Sequence, residues 1–304
     1  MSPVPDLASF PPLETAGRLG RLRQLLSASE KAEGAEALLV TKPQNIRYLT
    51  GFSGSAAMLL VLADGAAAPR RANAGPPPGD MARPGGAVLF TDGRYGDQAA
   101  SELAAAGVLA GFVVDRLPAQ LTALEHITGG LRAVAVEEDA LSWGMQLRLA
   151  RSLRGAIVPS GSLVEQLRLV KDPGELARIE AACDIADVAL AQVKEHLRAR
   201  CTEAELAAEL EREMRRRGAA YASFETIVAS GPNGARPHAR PTERVIETGD
   251  LVVVDFGATV DGYHSDMTRT LCAGTPDSEL TDLLDAVFVA QRAGVRALRA
   301  GVGG

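Results

Sequence analysis

Apolar residues fall in short blocks through the first half of the chain and in two distinct rhythms through the second. An amphipathic helix begins at 19–26. Five blocks with the length and make-up of strands follow, at 35–40, 56–63, 87–90, 112–114 and 133–136. Helical patterns at 99–106 and 117–126 lie before and between the last two. Strands alternating with helices over 35–155 predict an α/β domain. Residues 159–162, Pro-Ser-Gly-Ser, suit a boundary, with a linker helix over 163–170. Asp172-Pro173-Gly174-Glu175 then carries helix-start signals: a capping aspartate, a first-turn proline and a reciprocal glutamate. Apolar positions 176, 179, 183, 186, 190, 193 and 197, in steps of three and four, predict one buried face of a long helix. Thr202 and Glu205 form a second capping box, with Gly218 as the stop. Strands are expected at 223–229, 251–258 and 263–271, and a last helix from Asp277 to about 298.

Composition limits the classes of function. The chain has 304 residues, long enough for two domains, and 46% apolar content, enough to fill a core. Its net charge of −6 argues against a general nucleic-acid binder. No apolar run approaches the roughly 20 residues that span a bilayer, and the first residues lack the pattern of a secretory signal. Cys183, Cys201 and Cys272 are odd in number and widely spaced, which suits a reduced, cytoplasmic protein with small buried thiols. The proline-rich residues 1–17 are expected to form a disordered tail. The Gly/Pro/Ala-rich stretch at 64–86 is expected to be a mobile insertion.

The chemistry concentrates in LVVVDFGATVDGYHSDMTRTL, residues 251–271. Asp255 interrupts an apolar strand, and Asp261-Gly262 is a strong hairpin turn. With those two residues as the loop, Phe256 faces Met267 and Gly257 faces Asp266. Asp255 and Asp266 then share a face as diagonal neighbours, about 7 Å or less apart at Cβ. A loop centred on residues 260–261 would set them directly opposite; an odd-length loop would separate them. His264 and Thr268 share Asp266's face. Facing carboxylates share a proton, meet a cation or hold a metal, whereas a pair near a turn can also be two solvated side chains. The apolar VVVDFG flank suggests a buried strand and so favours the first reading. His238, in the loop GPNGARPHARP, is either an idle exposed side chain or a donor to a substrate carbonyl.

The run SFETIVASGPNGARPHARPTERVIETGDLVVVDFGATVDGYHSDMTRT closely resembles the pita-bread-fold metallopeptidases, in the branch of aminopeptidase P and Xaa-Pro dipeptidase (prolidase). LLVTKPQNIRYLTGFSGS and LFTDGRYGDQA resemble the creatinase-type domain that precedes the catalytic domain in that branch. The resemblance implies an α/β creatinase-like N-terminal domain over 18–158, a linker helix over 159–171, and the first half of an α+β pita-bread domain over 172–304. It implies a peptidase that cleaves X-Pro bonds with a water activated by two divalent ions, manganese foremost, with cobalt or zinc as alternatives. Asp255 would serve one ion and Asp266 would bridge both. His238 would contact the substrate and stabilise the tetrahedral intermediate. A proline-containing peptide substrate and a homodimer are also implied.

The sequence departs from that pattern downstream. The family's later ligands are a histidine and two glutamates. After Asp266 the chain has no histidine, and its only glutamate is Glu279. A C-terminally truncated chain is therefore expected, holding its metals weakly, with low or no activity and an apolar face left open. The alternative is a pita-bread module that binds peptide or protein without catalysis; creatinase-like hydrolysis without metal is a third reading.

Overall fold

The computed structural model describes residues 4–64, 86–199 and 201–303. They divide into two units, one of residues 12–172 and one of residues 173–303 together with 4–11. The insertion expected at 64–86 lies, except for its two end residues, outside the described residues.

The first unit is a six-stranded sheet with helices on both faces. Its strands are β1 (Ala37–Val40), β2 (Ala57–Leu62), β3 (Ala87–Thr91), β4 (Gly111–Val114), β5 (Ala133–Val136) and β6 (Ala156–Pro159), in the order β4-β3-β2-β1-β5-β6. β1 and β2 pair in antiparallel fashion and β1 and β5 in parallel. Side-chain alternation splits the apolar blocks into two cores. Leu38, Val40, Leu59, Val61 and Leu89 pack on one side, against α1 (Arg18–Ala28) and α2 (Pro43–Thr50). Leu39, Leu60, Val88, Phe90 and Val134 pack on the other, against α4 (Leu117–Thr128) and α5 (Trp143–Ser152). Strands buried on both faces read as continuous apolar blocks, which is why these were legible. Helix α3 (Gly96–Ala105) adds Ala99 and Leu103 to the first core.

Three expectations need correction here. Residues 156–159, where no strand was expected and whose last residue was placed in the boundary, are the edge strand β6. The expected linker helix is α6 (Leu163–Arg168), whose Leu163 and Val164 are buried in the first unit's core, so it belongs to that unit. Residues 4–17 are ordered. Asp6 caps a 3₁₀ turn at Leu7–Ser9, Phe10 packs against the second unit's core, and Thr15 is buried in a second turn at Thr15–Gly17. Prolines fix φ, so a proline-rich segment is stiff and loses little entropy on docking.

The second unit packs α7 (Pro173–Val193) and α8 (Glu203–Arg216) on a sheet of β7 (Ile227–Ser230), β8 (Leu251–Phe256) and β11 (Met267–Cys272), in the order β11-β8-β7. A two-stranded extension, β9 (Thr259–Val260) and β10 (Tyr263–His264), carries the hairpin tip. The Thr202–Glu205 capping box forms as expected. The buried face of α7 departs in part from the expected one. Ala186, Val193 and, just beyond the helix, Leu197 are buried as expected; Ala181, Ala182, Ile185 and Ala189 join them, whereas Leu176 and Cys183 are exposed. Alanines allow close approach to α8 and the hairpin, and a count of large apolar residues passes over them. The last helix, α9 (Ser278–Ala297), is capped by Asp277 and has no buried residue; Leu283, Val287, Phe288 and Val289 are exposed.

Two contacts fix the hairpin. Asp261 (φ 47°) is the single non-glycine residue with positive φ among the described residues, and Gly262 follows at φ 78°, the pairing a two-residue hairpin turn requires. Arg178 of α7 donates from Nε to Asp261 Oδ2 at 2.6 Å. Between the two ladders, Gly257 lies against Ser265: an added Cβ would stand 1.9 Å from the Ser265 carbonyl oxygen. Only glycine fits there. We expect Gly257→Ala to destabilise the second unit by about 3 kcal/mol, the upper range for overpacking. Gly20→Ala, in open space on α1, should be neutral or stabilising by up to about 1 kcal/mol. Urea unfolding followed by circular dichroism distinguishes them, and equal stability of both variants would contradict the close approach.

Candidate metal centre

Strand register decides where the two aspartates stand. Val260 pairs with Tyr263 and Thr259 with His264, which leaves Asp261-Gly262 as the loop. The same count continues to Phe256 with Met267 and Asp255 with Thr268. Asp266 therefore precedes Asp255's partner by two residues, the diagonal position expected from the turn. The ladder is interrupted at 265–266, where Ser265 Oγ accepts from Ala258 N at 2.9 Å and donates to Ala182 O at 3.0 Å. The single strand expected over 263–271 is thus two, β10 and β11.

Burial on β8 alternates. Val252, Val254 and Phe256 enter the core, whereas Leu251, Val253 and Asp255 lie on the more open face. The apolar flank suggested a strand buried on both faces, and the structure corrects this. Asp255 is half-buried, on the more open face of the strand. Its Oδ1 accepts from Thr268 Oγ1 at 2.8 Å. Asp266 and Thr268 are exposed. Among the described residues, that hydroxyl is Asp255's one hydrogen-bond donor.

His264 takes a different set of partners. Its Nδ1 lies 3.0 Å from Thr259 Oγ1, and its ring stands 6.3 Å from that of Tyr221. Loss of solvation around the ring holds its pKa below the ordinary value. His238 is exposed in the loop that follows a 3₁₀ turn at Gly231–Ala235. Of the expected neighbours, then, Thr268 meets Asp255, while His264 engages Thr259 and Tyr221. Among the described residues no group of three or more His, Cys, Asp or Glu side chains could hold a metal ion.

One residue that the sequence reading passed over organises the His238 loop. Glu203, the first residue of α8, is fully buried. Its Oε1 accepts from Ser230 N and Ser230 Oγ, both at 2.7 Å. Its Oε2 accepts from Thr242 N at 3.0 Å and Thr242 Oγ1 at 2.6 Å. Asn233 Nδ2 reaches both oxygens, at 3.1 and 3.2 Å. Burial alone would raise the carboxyl's pKa; the hydrogen bonds from Thr242, Ser230 and Asn233 outweigh it, and the net shift is downward. Glu203 stands beside the N-cap, but its partners are 27 to 39 residues away, so local sequence holds no signal for the network.

The comparisons with known proteins cover both units. Residues 18–170 match the creatinase/prolidase N-terminal domain and residues 177–304 match metallopeptidase family M24. The uncharacterized peptidase YqhT of Bacillus subtilis is 32% identical over 290 residues, covering 94% of this chain and 74% of that protein. A Xaa-Pro dipeptidase of Pyrococcus furiosus is 39% identical over 140 residues, 46% of this chain and 40% of that enzyme. Among solved structures, the Xaa-Pro dipeptidase from Bacillus anthracis superposes with a TM-score of 0.80 at 31% identity, covering 94% of this chain and 73% of that one. An α/β creatinase-type domain followed by an α+β pita-bread domain is the architecture that the resemblance implied, and on these matches the chain belongs to metallopeptidase family M24.

Proposed function

We propose that residues 1–304 carry the first two carboxylate ligands, Asp255 and Asp266, of a divalent-metal centre in a peptidase that hydrolyses X-Pro bonds. The observation that carries this reading is the hairpin register, which puts Asp255 opposite Thr268 and hence diagonal to Asp266. Membership of M24 and the Xaa-Pro dipeptidases among the relatives support the reaction class.

The donor set fits such ions in kind and falls short in number. Carboxylate oxygens suit manganese and, with added imidazole, cobalt or zinc. Ions of this class take roughly four to six ligands, so two aspartates leave the remaining positions to water or to further donors. When bound, two divalent ions would polarise a scissile carbonyl and acidify water. The chain's own residues would do the rest. Thr268 fixes the rotation of Asp255 through its hydroxyl. His238 would donate a hydrogen bond to the carbonyl oxygen as charge develops there. An X-Pro bond has no N–H, so the substrate would be read by ring shape and by that carbonyl.

A second reading, a peptide-binding module without catalysis, is favoured by the lack of a cluster of three or more metal-binding side chains among the described residues. The three free cysteines accord with a reducing, cytoplasmic setting. The homodimer is part of the same proposal and is read by sedimentation.

Manganese titration by calorimetry tests the site directly. We expect weak binding that falls by roughly tenfold or more in Asp255→Ala and in Asp266→Ala, with unchanged circular dichroism. Wild-type affinity in both variants would remove the site. Turnover of an X-Pro dipeptide with added manganese should be marginal. Robust turnover abolished by Asp266→Ala would show that the two carboxylates suffice.

A further inference from the structure

The Glu203 network closes a loop on one carboxylate. Ser230 ends β7 and Thr242 lies twelve residues on; both donate through backbone N and side-chain hydroxyl to Glu203. Helix α8 adds its own first amides. Glu203 N donates to Arg244 O at 3.1 Å and Ala204 N to Thr242 O at 3.0 Å. Arg244 Nη1 donates to Ser230 Oγ at 2.5 Å and to Asp250 Oδ2 at 2.6 Å. The carboxylate also sits in the first turn of α8, where the helix dipole favours negative charge.

Between those two anchors, and past the 3₁₀ turn that packs on the sheet, the loop has few hydrogen bonds of its own among the described residues. Arg236 N donates to Asn233 O, Ala239 N donates to Arg236 O, and Arg240 pairs with Glu225 where both are exposed. Ala239 is buried. Pro237 and Pro241 stand on either side of His238-Ala239-Arg240, and each has a fixed φ. A short arm stiffened at both ends follows the position of its anchors.

We propose that Glu203 is the positioning residue of His238: by drawing Ser230, Asn233 and Thr242 onto one buried carboxylate, it sets the place of the imidazole. The proposal rests on the reading of His238 as the group that meets the substrate carbonyl. A neutral bond would hold one end of the loop; an ionised carboxylate saturated by donors holds both ends and disfavours alternatives, because each displaced oxygen would be a buried charge without a partner.

The test uses the full 304-residue chain and two variants. Glu203→Gln keeps the shape, removes the charge and turns an NH₂ toward donors. Thr242→Val removes one donor, and it carries the test if Glu203→Gln does not fold. The readout is the long-range ¹H–¹⁵N spectrum of the four histidine rings, with His238 assigned by its loss in His238→Ala. We expect the His238 signal to shift or broaden in both variants while His126 and His196 stay in place. A His238 signal unmoved in a folded variant would overturn the proposal. On whatever X-Pro turnover the wild-type chain shows, Glu203→Gln should lower kcat roughly 10–100-fold, the scale of a misplaced group. KM should change little, and in the His238→Ala background Glu203→Gln should have no further effect. An equal loss in both backgrounds would also overturn it. If the wild-type chain shows no turnover, as a centre short of ligands allows, the ring spectra alone decide the role of Glu203.

Discussion

The turn at Asp261-Gly262 governs what the second unit can offer to chemistry. Side chains alternate along strands, so a loop one residue longer or shorter would send Asp255 and Asp266 to opposite faces of the hairpin. The protein guards that parity at three points. Asp261 accepts positive φ beside a glycine, Arg178 of α7 grips the Asp261 carboxylate, and Gly257 admits the Ser265 backbone where no side chain would fit. Arg178 is itself held by the carbonyls of Gly174 and Pro11 and lies against Phe10. The ordered N-terminal residues thus act on the hairpin through α7.

The unit places its carboxylates in opposite environments. Glu203 is fully buried and surrounded by donors that use the acceptor capacity of both oxygens. A carboxylate offers about four lone-pair sites, so nothing remains for a cation; its charge is spent on architecture. Asp255 is half-buried and receives one hydroxyl, from Thr268, and Asp266 is exposed with no hydrogen-bond donor among the described residues. Their remaining lone pairs are open to a ligand. Burial, which first drew notice to Asp255, distinguishes the wrong residue: the deeply buried acid is structural, and the more open pair has the free valence a metal needs.

Much of this was legible in the sequence, for reasons that vary from element to element. The inner strands of the first unit, β1, β2, β3 and β5, are buried on both faces and announce themselves as apolar blocks. The hairpin register follows from one dipeptide, because turn length fixes parity. Capping residues mark α8 and α9 directly. Other features depend on contacts distant in sequence. The inner face of α7 is built of alanines, whose burial depends on what lies opposite. β6 runs into the proline at which a break was expected, and its partner β5 supplies the missing order. Glu203 could not be distinguished from any other acid in a first helical turn, since Ser230, Asn233 and Thr242 reach it only after the sheet has formed.

The sheet also sets the spacing between the two parts of the proposed site. Asp255 pairs with Ile227, and Val252 with Ser230. The root of the His238 loop is therefore three residues along β7 from Asp255's neighbour, about 10 Å at the rise of a strand. That separation cannot drift, because β7 and β8 are bound along their lengths. What can vary is the reach of the loop beyond Ser230, and there the Glu203 carboxylate and two prolines take over from the ladder. Rigid pairing fixes the base of the arm and a saturated buried charge fixes its ends. An imidazole exposed on a loop can thereby keep a defined place relative to the carboxylates of the hairpin.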